Sequence, residues 1–119
     1  MLDTKINRLK AGAASIEITP PLSVGLLTSS TRGEWAPFKS ERTPLKARAL
    51  VLESGGQWFA FVSLDLLALQ SVSVGGWMIF KRALAEGTSN QFHPDSIVIT
   101  CTHAHNAPES SGITDLYQT

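Results

Sequence analysis

Hydrophobic and polar positions alternate or cluster in a way that divides the chain into strands, one helix and connecting segments. In "AGAASIEIT" (11–19) Ile16 and Ile18 alternate against Glu17, which predicts a short strand. Pro20 and Pro21 end it, because proline lacks the N–H that a ladder needs. "PLKARALVLES" (44–54) begins with Leu45, Ala47 and Ala49 on one face and Lys46 and Arg48 on the other, then turns wholly apolar. "QWFAFVSLDLLAL" (57–69) is almost continuously apolar, the pattern of a strand buried on both faces. Between these two runs Ser54-Gly55-Gly56 permits the positive φ of a tight turn, so the pair reads as a β-hairpin.

"SVSVGGWMIFKRALAEG" (71–87) predicts a helix with Val72, Gly76, Ile79, Phe80, Ala83 and Leu84 on one face and Lys81, Arg82 and Glu86 mostly off it. Gly75 and Gly76 weaken its first turn by about 1 kcal/mol each relative to alanine, and Gly87 suits its end. After a loop, "SIVITCT" (96–102) predicts another buried strand. The order strand, long loop, hairpin, helix, strand predicts an α/β fold, with mixed α+β as the alternative: a mixed β-sheet carrying a hairpin and at least one packed helix. Residues 20–44 show no period but contain Trp35, Phe38 and "VGLL". A segment of that length without regular structure is either an ordered loop over a site or a mobile excursion.

Composition narrows the function classes. The chain has 119 residues, 43% hydrophobic and 17% charged, which suits one domain with a buried core. Ten basic and ten acidic residues cancel, which argues against a nucleic-acid binder held by phosphate contacts. A single cysteine, Cys101, excludes an internal disulfide and a Cys-rich zinc knuckle. The N-terminus lacks an apolar signal core and no stretch reaches transmembrane length, so the expected location is cytoplasmic.

The stretch with most chemical content is "IVITCTHAHNAP" (97–108), where an apolar run ends in His103-Ala104-His105. In an extended strand, residues i and i+2 project to one side, so both imidazoles can converge just past the strand end, where functional groups gather in sheets with parallel strands. Imidazole is a zinc ligand, and a His-x-His pair supplies at most two of the three or four that zinc takes. Two polar residues closing a strand would give the same letters, so the spacing leaves both readings open. Asp65, after "FVSL", can orient a ligand histidine or cap a turn. Cys101 reads as a small buried hydrophobe, with no charged neighbour in sequence to lower its pKa. Glu109 and Asp115 are carboxylates in a polar tail, where solvation is the commoner fate, and His93 before Pro94 is assigned no role. Lys46 and Arg48 read as a solvated face, although an arginine in a site suits an anion or oxyanion.

Four stretches, in order, resemble the N-terminal part of the neutral/alkaline (non-lysosomal) ceramidase family. They are "AGAASIEITPP" followed by "VGLL"; "PLKARALVLES", similar to a Leu-x-Ala-Arg-Ala strand; "FAFVSLDLLAL", similar to a Val-Ser-x-Asp-Leu strand; and "IVITCTHAHNAP", similar to a Thr-His-Thr-His-Ser-x-Pro motif. Two departures are visible: "NAPES" stands where the family has Ser-Gly-Pro-Gly, and "GLLTSS" lacks the tyrosine that commonly follows the early glycine. The resemblance implies a zinc-dependent amidase of sphingolipid metabolism that cleaves the N-acyl bond of a ceramide-like lipid. It implies His103 as a zinc ligand and His105 as an active-site residue beside the metal, polarising the substrate or stabilising the oxyanion. The family's other histidine, Glu and Tyr ligands and its serine nucleophile lie beyond the matching stretches. Residues 1–119 are therefore expected to be a single incomplete domain, part of a larger catalytic unit, inactive by itself and inclined to self-associate through an unpaired sheet edge. Family members are often secreted or membrane-associated, unlike the cytoplasmic expectation above.

Two other function classes fit fewer of these features. Other His-x-His metallohydrolases place the pair on the first strand of a barrel or continue it as His-x-His-x-Asp-His, and "HAHNAP" does neither. A non-catalytic binding or interaction domain would need no further ligands.

Overall fold

The computed structural model describes residues 8–25, 37–108 and 110. Four strands form one sheet in the order β1-β2-β3-β4: β1 (Lys10–Glu17), β2 (Lys46–Ser54), β3 (Gln57–Leu64) and β4 (Ile97–Cys101). β1, β2 and β3 run antiparallel, while β4 lies parallel to β3. A parallel neighbour requires a crossover, and helix α1 (Trp77–Gly87) supplies it. The fold is thus mixed α+β, a four-stranded mixed sheet with one helix, as the periodicity predicts.

The hairpin closes as expected. Gly55 and Gly56 have φ of 60° and 78°, and Ser54 pairs with Gln57. Positive φ at both central positions matches the right-handed twist of the flanking strands. β1 extends one residue before the anticipated start and stops at Glu17, but Ile18 continues the track by donating to the Leu45 carbonyl at 2.8 Å. Of the long 20–44 segment, a 3₁₀ turn at Leu22–Val24 is ordered against Phe38, whose N–H donates to the Leu22 carbonyl at 2.9 Å. Trp35 and the two leucines of "VGLL" lie outside the described residues.

Two expectations need correction. The helix does not begin at Ser71. Ser71–Val74 is a separate 3₁₀ turn, and Gly75 and Gly76, at φ 71° and 109°, leave the helical basin before α1 starts at Trp77. The helical phase therefore resets, and a stripe counted across the glycines points the wrong way. Val72 and Ile79 are 70% and 65% exposed, whereas Leu84 and Ala85 turn to the sheet. The second correction concerns β3, which is buried on one face only. Ala60 joins Ala85, Phe92 and Ile97 in the core, with Val51, Trp58, Val62, Leu84 and Ile99 around it. The Trp58 and Phe92 rings meet edge to face at 5.8 Å. The other face carries a row across all four strands, Ala13-Leu50-Phe61-Val98, set by the register. Phe61 and Val98 in that row are each 44% exposed. An apolar run with both faces loaded therefore does not by itself require two covering layers in this chain.

Among the described residues no helix is long and apolar enough to cross a membrane.

Candidate functional site

The histidines sit beyond the C-terminal ends of the parallel pair β3 and β4. β3 cannot continue past Leu64, because Leu66 folds back and donates to the Leu64 carbonyl at 2.8 Å. β4 accordingly stops at Cys101, and the next residues are laid on the carbonyls of that turn. Thr102 N–H donates to Leu64 at 2.9 Å and Ala104 N–H to Leu66 at 3.2 Å. The Ser110 hydroxyl donates to Ala68 at 2.7 Å.

His103 is therefore not on a pleated strand. It has a left-handed φ of 63°, and His105 and Asn106 form the following turn, with Ala107 fully buried beneath it. The alternation argument gave the right neighbours by the wrong geometry. The two imidazoles do come together, with ring centres 4.6 Å apart and planes at 86°, but through a turn instead of a shared strand face. Two imidazoles on one tetrahedral zinc, with Zn–N near ~2.0–2.1 Å, have ring centres about 5 Å apart, so this spacing lies within a small adjustment of one ion.

His103 Nδ1 lies 3.1 Å from the Leu67 carbonyl. A carbonyl can only accept, so this contact favours a proton on Nδ1, and in the neutral ring the Nε2 lone pair is then left for a ligand. Metal-ligating histidines are commonly oriented in this way, by donating the other ring N–H to a carbonyl or carboxylate. Both histidine side chains lie on exposed residues. Among the described residues no group of three or more His, Cys, Asp or Glu side chains is placed to hold a metal ion. The donor chemistry at His103 thus fits zinc, while the described donor set stops at two.

The direct partner of the His103 ring is the Leu67 carbonyl and not the Asp65 carboxylate. Asp65 Oδ1 accepts from Arg48 Nη1 at 2.8 Å and its Oδ2 from the Lys46 N–H at 2.9 Å. Its own N–H returns a bond to the Lys46 carbonyl at 2.9 Å. The Arg48 guanidinium holds the carboxyl below the ordinary carboxylate range, against the opposing effect of burial. Arg48 is thereby an ion-pair partner as well as a solvent-exposed residue, its side chain 50% exposed. Burial pushes the Cys101 thiol up, which keeps it protonated and matches its reading as a small hydrophobe. His93 has a structural task that the sequence reading missed: its Nδ1 accepts from the Asp95 N–H at 3.2 Å and caps the 3₁₀ turn Pro94–Ser96. The signal was His-Pro-Asp itself, a capping residue followed by proline at the first helical position. Glu109 and Asp115 lie outside the described residues.

A cavity of about 410 Å³ adjoins the histidine turn. Leu22, Phe38 and Leu45 line it together with Asp65, Ala104 and Asn106.

No protein-family profile matches the chain, and no curated protein does. Among solved structures, the crystal structure of neutral ceramidase from Pseudomonas aeruginosa superposes with a TM-score of 0.65 at 21% identity over 85% of this chain. The fold is that of a segment of neutral ceramidase. A ceramidase complexed with C2 matches equally well, with a TM-score of 0.64 at 22% identity, again over 85% of this chain. The chain spans only 16% and 15% of those two ceramidase chains. The likeness agrees with the four sequence stretches that resemble the ceramidase family, and at this identity it establishes the fold alone.

Proposed function

We propose that this chain contributes one part of the active site of a zinc-dependent amide hydrolase acting on the N-acyl bond of a ceramide-like lipid. The observation that carries the reading is the His103 Nδ1–Leu67 carbonyl contact, which favours the Nδ1–H tautomer and leaves Nε2 for a metal. His103 Nε2 is the ligand atom. His105, whose ring centre is 4.6 Å away, lies close enough to donate an N–H to a developing oxyanion beside the metal. Zinc, when bound, supplies polarisation of the amide carbonyl and a more acidic bound water. The apolar side of the neighbouring cavity, Leu22, Phe38 and Leu45, suits a hydrocarbon portion of the substrate. The remaining ligands and the nucleophile come from residues other than these two, because catalytic zinc takes three protein ligands, His103 supplies one, and among the described residues no group of three donors is placed to hold the ion.

The 119-residue chain tested by itself is expected to bind zinc weakly and to hydrolyse no amide. Calorimetric titration with zinc chloride at neutral pH should show one weak site that His103→Ala abolishes. Identical zinc uptake by the two proteins would remove the basis of the proposal.

A further inference from the structure

We infer that Asp65 is a positioning residue for His103, acting through the backbone of the Leu64–Leu67 turn. Asp65 sits between the two residues whose carbonyls hold the neighbours of His103: Leu64 accepts from Thr102 and Leu66 accepts from Ala104. One residue further, Leu67 accepts from the His103 ring. A rotation at residue 65 therefore moves all three acceptors that define the histidine's backbone and ring.

Asp65 is itself fixed from the β2 side. Lys46 holds it at both its backbone N–H and its carboxylate, at 2.9 Å each, and Arg48 Nη1 holds the other carboxylate oxygen at 2.8 Å. β2 thus reaches the histidine through one side chain, although neither β2 residue touches it in these contacts.

The conformation being held needs such a device. A non-glycine residue with φ of 63° sits in a sparsely populated region, and such conformations persist where the surroundings over-determine them. Here the flanking N–H groups and the ring nitrogen are all engaged. Exposed histidine in water favours the Nε2–H tautomer, so the Nδ1–H form at His103 depends on the Leu67 carbonyl staying in place.

The inference uses the proposed zinc role to say why the geometry matters, but its test is read without metal. Long-range ¹H–¹⁵N spectra of the labelled chain should show His103 mainly as the Nδ1–H tautomer. Arg48→Met removes the ion pair that holds one carboxylate oxygen, and Asp65→Asn removes the charge that gathers Arg48. Both should move His103 towards the Nε2–H form, and any zinc affinity should fall about 10-fold, the lower end of the effect of losing an orienting partner. If Asp65→Asn fails to fold, Arg48→Met decides. Folded variants with the wild-type tautomer would overturn the inference, as would a wild-type ring already in the Nε2–H form. Absence of zinc binding in every variant would defeat the proposed function and leave the tautomer comparison standing as the test of Asp65.

Discussion

Ile97 and Val98 are adjacent in β4 and face opposite sides of the sheet, so alanine at each position tests the one-sided core directly. Ile97 is 3% exposed and packs in the cluster with Ala60, Ala85 and Phe92, whereas Val98 is 44% exposed. Ile97→Ala removes three buried carbons, about 2.4 kcal/mol at roughly 0.8 kcal/mol each. A cavity contribution brings the expected loss to about 3–4 kcal/mol, within the usual range for Ile→Ala in cores. Val98→Ala removes two carbons that are about half in water already, about 0.9 kcal/mol with no enclosed cavity. The loss of a β-branched residue from a strand is common to both changes and cancels in the comparison. Urea unfolding followed by tryptophan fluorescence should therefore place the two variants about 2–3 kcal/mol apart. With a slope near ~1–3 kcal/mol/M, that is a midpoint difference of about 1 M or more. Equal losses, agreeing within about 0.5 kcal/mol, would mean that the Val98 face is covered as fully as the Ile97 face, and the described packing would be wrong.

Three further outcomes follow from the same structure. Gly76→Ala should destabilise by about 1–3 kcal/mol, because φ is 109° there, while Gly87→Ala at the open end of α1 should stabilise by about 0.5–1 kcal/mol; thermal melts that move both variants the same way would refute the assigned conformations. Asp65 has a folded pKa held below its ordinary value, so its ionised form stabilises the fold above the unfolded pKa of about 3.9, and that contribution is lost as pH falls through the lower folded value. The stability gap between wild type and Asp65→Asn should be present at pH 6–7 and close in acid; a gap independent of pH would contradict the Arg48 pairing. Phe61→Lys places a charge in the open apolar row and should reduce concentration-dependent self-association in analytical ultracentrifugation, without the stability loss of a core change.

The strands and the hairpin were legible because their signals are local: alternation against Lys46 and Arg48, two glycines at the turn, and a β-branched run at 97–101. The helix was legible in kind but not in phase, since two glycines with positive φ interrupt the count, and a periodic pattern cannot show a backbone break within it. The open sheet face was not legible. Phe59 and Phe61 look like core residues by type, and whether a second layer covers them depends on tertiary packing. At the site, the proximity of His103 and His105 could be anticipated from their spacing, but the left-handed turn could not, because it depends on β3 ending at Leu64. The role of Asp65 was visible only as a choice between capping and orienting a ligand. Its carboxylate meets Lys46 and Arg48 across a hairpin, and sequence spacing does not reveal such a contact.

Zinc titration of the ¹⁵N-histidine-labelled chain tests the assignment of His103 most directly. The expected result is a metal-free ring protonated at Nδ1, with zinc shifting the Nε2 resonance of His103 and leaving His93 unmoved. A ring protonated at Nε2, or zinc that leaves the His103 nitrogens where they were, would contradict it.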